Sequence, residues 1–221
     1  MVYHRTIPVT YGLPALILVD QQVGGGGIPC SAFEDAMHRT IPLLTMARSR
    51  SLPVVHLQEV HRPELVDFGR ELDGDEGIHD MEGDQETELF PPLKPIAGEF
   101  HVVKRRYSGF FGTDLDLLLR SIGVETLILA GQLTDVCVHY TAIDAHQYNY
   151  VVRVAEDCVA GSSKSAHDAA LQAIEYHQHG AIRESQEIID ALAGYVPEKP
   201  WQISSRQDLW DQRWFLQSER I

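Results

Sequence analysis

The stretch "VETLILAGQLTDVCVHYTAIDAHQYNYVVRVAED", residues 124–157, decides the fold. It opens on an apolar run, 124–131, of the kind that forms a buried strand, and ends on a second, 150–157. A helix from about 137 to 148 lies between them. A strand, a helix and a second strand with both strands almost uninterruptedly apolar predict a parallel sheet covered on both faces. The pattern extends outward in both directions. "ALILVD" (15–20), "LPVVHLQ" (52–58), "EFHVVK" (99–104) and "AIRE" (181–184) read as further strands. Residues 31–50 have helical apolar spacing at Phe33, Met37, Ile41, Leu44 and Met46. Residues 113–123 form a helix with Thr113 at the N-cap and Gly123 closing it; 163–180 and 186–193 supply two more. There is no internal repeat and no low-complexity segment.

Length and charge narrow the function. A chain of 221 residues can bury one sizeable core. A net charge of -14, with "KRR" (104–106) as the longest basic run, argues against a nucleic-acid partner. No apolar run is long enough to span a membrane, and "MVYHRTIPVTYG" has no apolar signal-peptide core, so a cytoplasmic location is expected. Three widely spaced cysteines, Cys30, Cys137 and Cys158, make neither a disulfide framework nor a CxxC metal pair. Two segments break the strand–helix rhythm. Residues 59–98 are polar and acidic; within them 64–90 reads as a lid, a subunit contact or a solvated insertion. The tail 197–221, with Trp201, Trp210 and Trp214, is expected to dock on the domain formed by 1–196 or on a neighbouring subunit.

Ligands of open parallel sheets bind beyond the carboxyl ends of the strands. The polar residues there are Asp20, then Glu59 and His61, Lys104, the "GQLTD" segment followed by Cys137, and Glu156 with Asp157. A helix start and a nearby ammonium both favour a thiolate, and a carboxylate can take the thiol proton and pass it to a leaving amine. Each residue type also has an ordinary role: a core cysteine, a turn aspartate, a solvated lysine. On composition and spacing, Cys137 remains either a core residue or a nucleophile.

"LILVDQQ" (16–22) and the run from "HVVKRRYSGFFGTDLD" through "GQLTDVCVHY" to "AEDCVAG" (101–161) resemble the isochorismatase-like cysteine hydrolases, which include nicotinamidases and N-carbamoylsarcosine, ureidoacrylate and biuret amidohydrolases. The similarity spans roughly residues 13–195. It implies an α/β, Rossmann-like three-layer αβα fold with a parallel six-stranded sheet, and a homo-oligomer. It implies a triad of Asp20 as base and acid, Lys104 as the charge that stabilises the thiolate, and Cys137 as nucleophile. It also implies a cis peptide between Gln132 and Leu133, and an oxyanion hole from the N–H groups of Leu133 and Cys137. Isochorismatases proper lack the cysteine, so the expected activity is C–N cleavage of a small amide or ureido compound through a thioester. The alternatives are a metal-assisted, nicotinamidase-type deaminase and a catalytically silent scaffold on the same fold.

Nicotinamidases place an Asp-x-His pair after the second strand and a later His around a metal. Here Glu59 and His61 occupy the pair, and His79 in "GIHDMEGD" resembles the later ligand. With Glu replacing Asp, and with "E-x-HRP" also resembling metal-free members, the expectation is no cofactor, with zinc at Glu59, His61 and His79 as the alternative. Gln22, Glu59, His61, Tyr107, Phe110 and Phe111 are the candidate substrate contacts; each aromatic ring suits core packing equally well. After Gln22 the resemblance calls for an aromatic residue, whereas this chain has "VGGGGIP" (23–29).

Overall fold

The computed structural model describes residues 7–24, 31–197 and 201. Six strands, β1 (Leu13–Val19), β2 (Val54–Glu59), β3 (Phe100–Lys104), β4 (Val124–Gln132), β5 (Val151–Ala160) and β6 (Ile182–Arg183), form one sheet in the order β3-β2-β1-β4-β5-β6. Every pairing is parallel. Among the described residues five helices cover it: α1 (Ser31–Ser49), α2 (Leu115–Ile122), α3 (His139–Gln147), α4 (Lys164–His177) and α5 (Ser185–Ala193).

The apolar runs are uninterrupted because both faces of the central strands are buried. Alternate residues of β1 point to opposite faces. Ala15, Ile17 and Val19 pack with Leu115 and Leu119 of α2, Ala142 and Ala145 of α3, and Leu171 and Ile174 of α4. Leu16 and Leu18 pack with Met37, Leu43, Leu44 and Ala47 of α1 and with Ile188 and Leu192 of α5. β4 divides in the same way, Leu127 and Leu129 on one face and Ile128 and Ala130 on the other. Strand order reverses between β1 and β4, the place where an open parallel sheet leaves a crevice at its carboxyl edge.

Local differences from the sequence pattern have identifiable causes. Thr113 is not the N-cap; it lies one residue earlier, and its Oγ1 accepts from the Leu115 N–H at 3.2 Å. The helix expected from 137 is preceded by a π-turn, Thr134–Val138, in which the Val138 N–H donates to the Leu133 carbonyl at 3.0 Å. β5 runs three residues past the expected end. Segment 64–90 lies folded against the sheet edge, with Phe68, Glu71, His79, Asp80, Thr87 and Leu89 buried. Two isolated bridges pin it, Gln22 with Leu89 and His61 with Met81. In the tail, Trp201 donates from Nε1 to the Ser51 carbonyl at 2.6 Å and its ring lies 5.9 Å from that of Phe100. Trp210, Trp214, Cys30 and the glycines at 25–27 lie outside the described residues. Among the described residues no helix is long and apolar enough to cross a membrane.

Val19 of β1 and Gly131 of β4 are register partners. Gly131 has φ +137°, and a Cβ there would lie 1.8 Å from the Val19 carbonyl oxygen. Only glycine combines that backbone angle with that contact. Gly131→Ala is expected to destabilise the fold by about 3 kcal/mol or more, read as a fall in the urea midpoint; a midpoint equal to that of the parent chain would contradict the assignment.

Candidate active site

Three neighbouring strand ends assemble the site. Register pairs Glu59 at the end of β2 with Lys104 at the end of β3, and Asp20 directly follows β1. Asp20 takes φ +47°, a strained value for a residue with a Cβ, of the kind that persists where the surroundings enforce it. Its Oδ1 accepts the Glu59 N–H at 3.0 Å, which ties the two strand ends together. On edge strand β3, His101 and Val103 are exposed whereas Val102 and Lys104 face inward, leaving Lys104 with no solvent exposure.

The Lys104 ammonium sits among three acidic groups. Its Nζ lies 2.8 Å from Asp20 Oδ2, 2.7 Å from Glu59 Oε2 and 3.4 Å from Cys137 Sγ. The Cys137 thiol also lies 3.3 Å from Glu59 Oε2. Asp20, Lys104 and Cys137, separated by up to 117 positions in sequence, thus meet in one buried cluster. Two cysteine neighbours hold the turn that carries the thiol. Thr134 Oγ1 lies 2.9 Å from His167 Nδ1, and Asp135 accepts from the Ser162 N–H at 2.8 Å and its hydroxyl at 2.5 Å. Both tie the π-turn to the start of α4. The Gln132–Leu133 peptide is cis.

Electrostatics assigns different states to the two carboxylates. Burial pushes Asp20 up to about 6, against the pull of Lys104, and the charge of Glu59 adds to the rise. Burial also raises Glu59, but Lys104 and His61 outweigh it and hold that carboxyl well below its usual range. For Lys104, burial favours the neutral amine, yet the charges of Asp20, Cys137 and Glu59 hold the ammonium. The thiol goes the other way from the sequence-based expectation of a ready thiolate. Burial pushes Cys137 up, Glu59 adds to this, and Lys104 offsets only part. One ammonium facing two carboxylates is already outnumbered, so a third anion cannot form there without a proton moving elsewhere.

Beyond the thiol lies a cavity of about 370 Å³, its open mouth included, bordered by Asp20, Gln22, Glu59, Glu76, His79, Asp80, Tyr107, Gln132, Leu133, Val136 and Cys137. Gln22 is fixed by accepting from the Glu59 N–H at 2.9 Å and donating to Asp80 Oδ1 at 2.8 Å. Tyr107 donates to Glu76 Oε2 at 2.8 Å. Of the expected substrate contacts, Gln22, Glu59 and Tyr107 border the cavity. His61 lies behind Glu59, stacked on Phe68 with centroids 3.8 Å apart. Phe110 is part of the core, packed against Tyr148 and Tyr150, and Phe111 is 65% exposed away from the cavity. The "SGFF" segment turns sharply at Gly109, where a Cβ would lie 2.4 Å from Leu57, so the two rings diverge from the pocket. Glu76 and Asp80 were not legible as wall residues because they come from the aperiodic loop.

A second cluster stands behind Glu59. Ligand atoms of Glu59, His61, Glu71 and His79 lie within 4.8 Å of one another. His61 Nε2, Glu59 Oε1 and both Glu71 oxygens are buried without a hydrogen-bond partner, Nε2 lying 3.4 Å from Glu59 and 3.6 Å from Glu71 while Nδ1 faces Asp67 at 3.3 Å. Burial, then the charge of Glu59, pushes Glu71 up to about 7. Two imidazoles and two carboxylates this close together, with unpartnered atoms on Glu59, His61 and Glu71, fit a divalent ion. Asp20, Glu59 and Cys137 also converge, but Lys104 already supplies the cation there.

Residues 14–187 match the isochorismatase domain family. Ureidoacrylate amidohydrolase RutB of Yersinia enterocolitica is 32% identical over 191 residues, covering 73% of this chain and 81% of that protein. Maleamate amidohydrolase of Pseudomonas putida is 30% identical over 185 residues, covering 81% and 86%. Among solved structures, N-carbamoylsarcosine amidase of Thermoplasma acidophilum superposes with a TM-score of 0.68 at 30% identity, covering 78% of this chain and 96% of its own. A cysteine hydrolase of Pseudomonas syringae gives 0.76 at 26%, covering 85% and 98%. With the six-stranded parallel sheet, the match across most of the domain and these relatives taken together, the chain belongs to the isochorismatase family, whose named members include amidohydrolases of non-peptide C–N bonds.

Proposed function

We propose that the chain is a cysteine-dependent amidohydrolase that cleaves a C–N bond of a small amide or ureido compound. The observation that carries this reading is the buried contact of Lys104 with Asp20 and Cys137 at the floor of a cavity. Asp20, the less acidic of the two carboxylates, takes the Cys137 proton as the sulfur attacks the substrate carbonyl carbon. That transfer leaves the net charge around Lys104 unchanged, which is how a thiol with a raised pKa becomes a nucleophile here. The N–H groups of Leu133 and Cys137, both at the cavity wall, are assigned to the developing oxyanion. On collapse the C–N bond breaks and protonated Asp20 gives its proton to the departing amine or ammonia. Water then attacks the thioester, Asp20 takes its proton, and the carboxylic product leaves as the thiol is restored. Glu59 stays ionised throughout and holds Lys104 in place.

Release of ammonia from nicotinamide, biuret, ureidoacrylate-like compounds and simple primary amides is the test. Cys137→Ala and Cys137→Ser are expected to lower the turnover of any accepted amide by at least about 10³-fold. A variant with near-parental turnover would remove the thiol from the mechanism, and no release from any amide would favour a silent scaffold. Because the base must be ionised, kcat/KM is expected to fall as pH drops through about 6, the Asp20 value. A profile flat down to pH 4.5 would assign the proton transfer to another group.

A second reading, metal assistance, rests on the unpartnered atoms of Glu59, His61 and Glu71. These three and His79 would hold the ion, which would supply Lewis-acid polarisation of a substrate atom beside Glu59. This set adds Glu71, 12 residues beyond Glu59, to the three ligands expected from sequence. Dialysed protein is expected to retain up to one zinc per chain, and a His61→Ala, Glu71→Gln double variant to retain none while keeping its far-ultraviolet circular dichroism. No uptake by the parent chain from micromolar zinc would leave only the metal-free mechanism.

A further inference from the structure

The cavity wall carries an imbalance of charge that bears on the substrate. Four carboxylates border it, Asp20, Glu59, Glu76 and Asp80, and among the described residues no arginine or lysine does. The one ammonium behind the wall, Lys104, is already shared by Asp20 and Glu59. Two arginines follow Lys104 directly, yet both are engaged elsewhere. Arg105 donates to the Val60 carbonyl and lies 3.7 Å from Asp67; Arg106 donates to the Arg105 carbonyl and lies 4.0 Å from Glu71.

An amide with a carboxylate at its far end would place that anion against this wall with no free cation among the described residues to receive it. A divalent ion in the neighbouring cluster would offset Glu59 and Glu71 and still leave Asp20, Glu76 and Asp80 facing Lys104 alone. We propose that the site selects a small amide without a carboxylate, its far end positively charged or neutral and hydrogen-bond donating, and that Glu76 and Asp80 set this choice. The proposal rests on the amidohydrolase reading and departs from the two named relatives, whose names denote carboxylate-bearing amides. Glu76 is held at the wall by the Tyr107 hydroxyl, and Asp80 by the Gln22 amide.

Two reagents that differ in charge and little in size read this without turnover. Iodoacetamide and iodoacetate both alkylate a thiolate by displacing iodide, and peptide mass spectrometry gives the rate at Cys137. The ratio of amide to acid rates, relative to the same ratio on glutathione, is expected to be at least about tenfold higher at Cys137. Glu76→Gln is expected to narrow it, and so is Asp80→Asn. A ratio equal to that on glutathione, or below it, would overturn the proposal. As a matched pair of substrates, maleamide is expected to have a higher kcat/KM than maleamate; the reverse order would also overturn it. If no amide of the panel, these two included, is hydrolysed but the alkylation ratio stands, the hydrolase reading fails while the charge selection holds.

Discussion

Everything at the site depends on one ammonium buried without exposure. Lys104 takes its charge out of water, and isolated burial of that kind costs several kcal/mol. Asp20 and Glu59 at 2.8 and 2.7 Å offset the cost, so each of the three requires the others. The sheet supplies the geometry. Parallel register brings the ends of β1, β2 and β3 into line, and the inward parity of β3 turns Lys104 toward them. A shift of one residue would turn Lys104 to solvent and leave two carboxylates uncompensated in the core. Fold and chemistry are thus specified by the same pairing.

The two carboxylates beside Lys104 divide the work because their surroundings differ. Glu59 has Lys104 on one oxygen and His61 at 3.4 Å on the other, and stays an anion. Asp20 shares Lys104, but burial first, and then the charge of Glu59, raise its affinity for a proton to about 6. Pairs of titratable groups pushed apart in this way mark which is the acid–base and which the fixed charge. The split also links the two clusters: Glu59 Oε2 faces Lys104 while Oε1 faces His61 and Glu71, so occupancy of one cluster is felt in the other.

What the sequence made legible follows from periodicity. β1, β4 and β5 are buried on both faces, and their apolar runs announce it; the parallel sheet and its carboxyl edge then bring Asp20, Lys104 and Cys137 together. Loop 64–90 had no such signal. His79, Asp80 and Glu71 point inward because the backbone of His61 pairs with that of Asp80 and Glu82, contacts that no local pattern encodes. Glu59 was legible as a strand-end carboxylate but not as a partner of Lys104, 45 positions away, since only register reveals that pair. Phe110 and Phe111 show the converse. Adjacency to Lys104 in sequence suggested the pocket, yet the turn at Gly109 sends one ring into the core and the other to solvent.

The raised thiol is the point on which chemistry and protection meet. A standing thiolate would be open to oxidation as well as to substrate, because the anion is the reactive form in both reactions. Cys137 is buried between Lys104 and Glu59 at 3.4 and 3.3 Å, and burial pushes its thiol up, away from the thiolate. In the proposed mechanism its activation would require Asp20 to be free of a proton and an acceptor carbon to be in place, so that charge moves from sulfur to an oxyanion rather than accumulating beside two carboxylates. The same negative surroundings that oppose the resting thiolate would favour expelling a carboxylic product once hydrolysis has made it an anion. An acidic wall would then act at both ends of the proposed cycle, holding the nucleophile dormant before substrate arrives and clearing the site after hydrolysis.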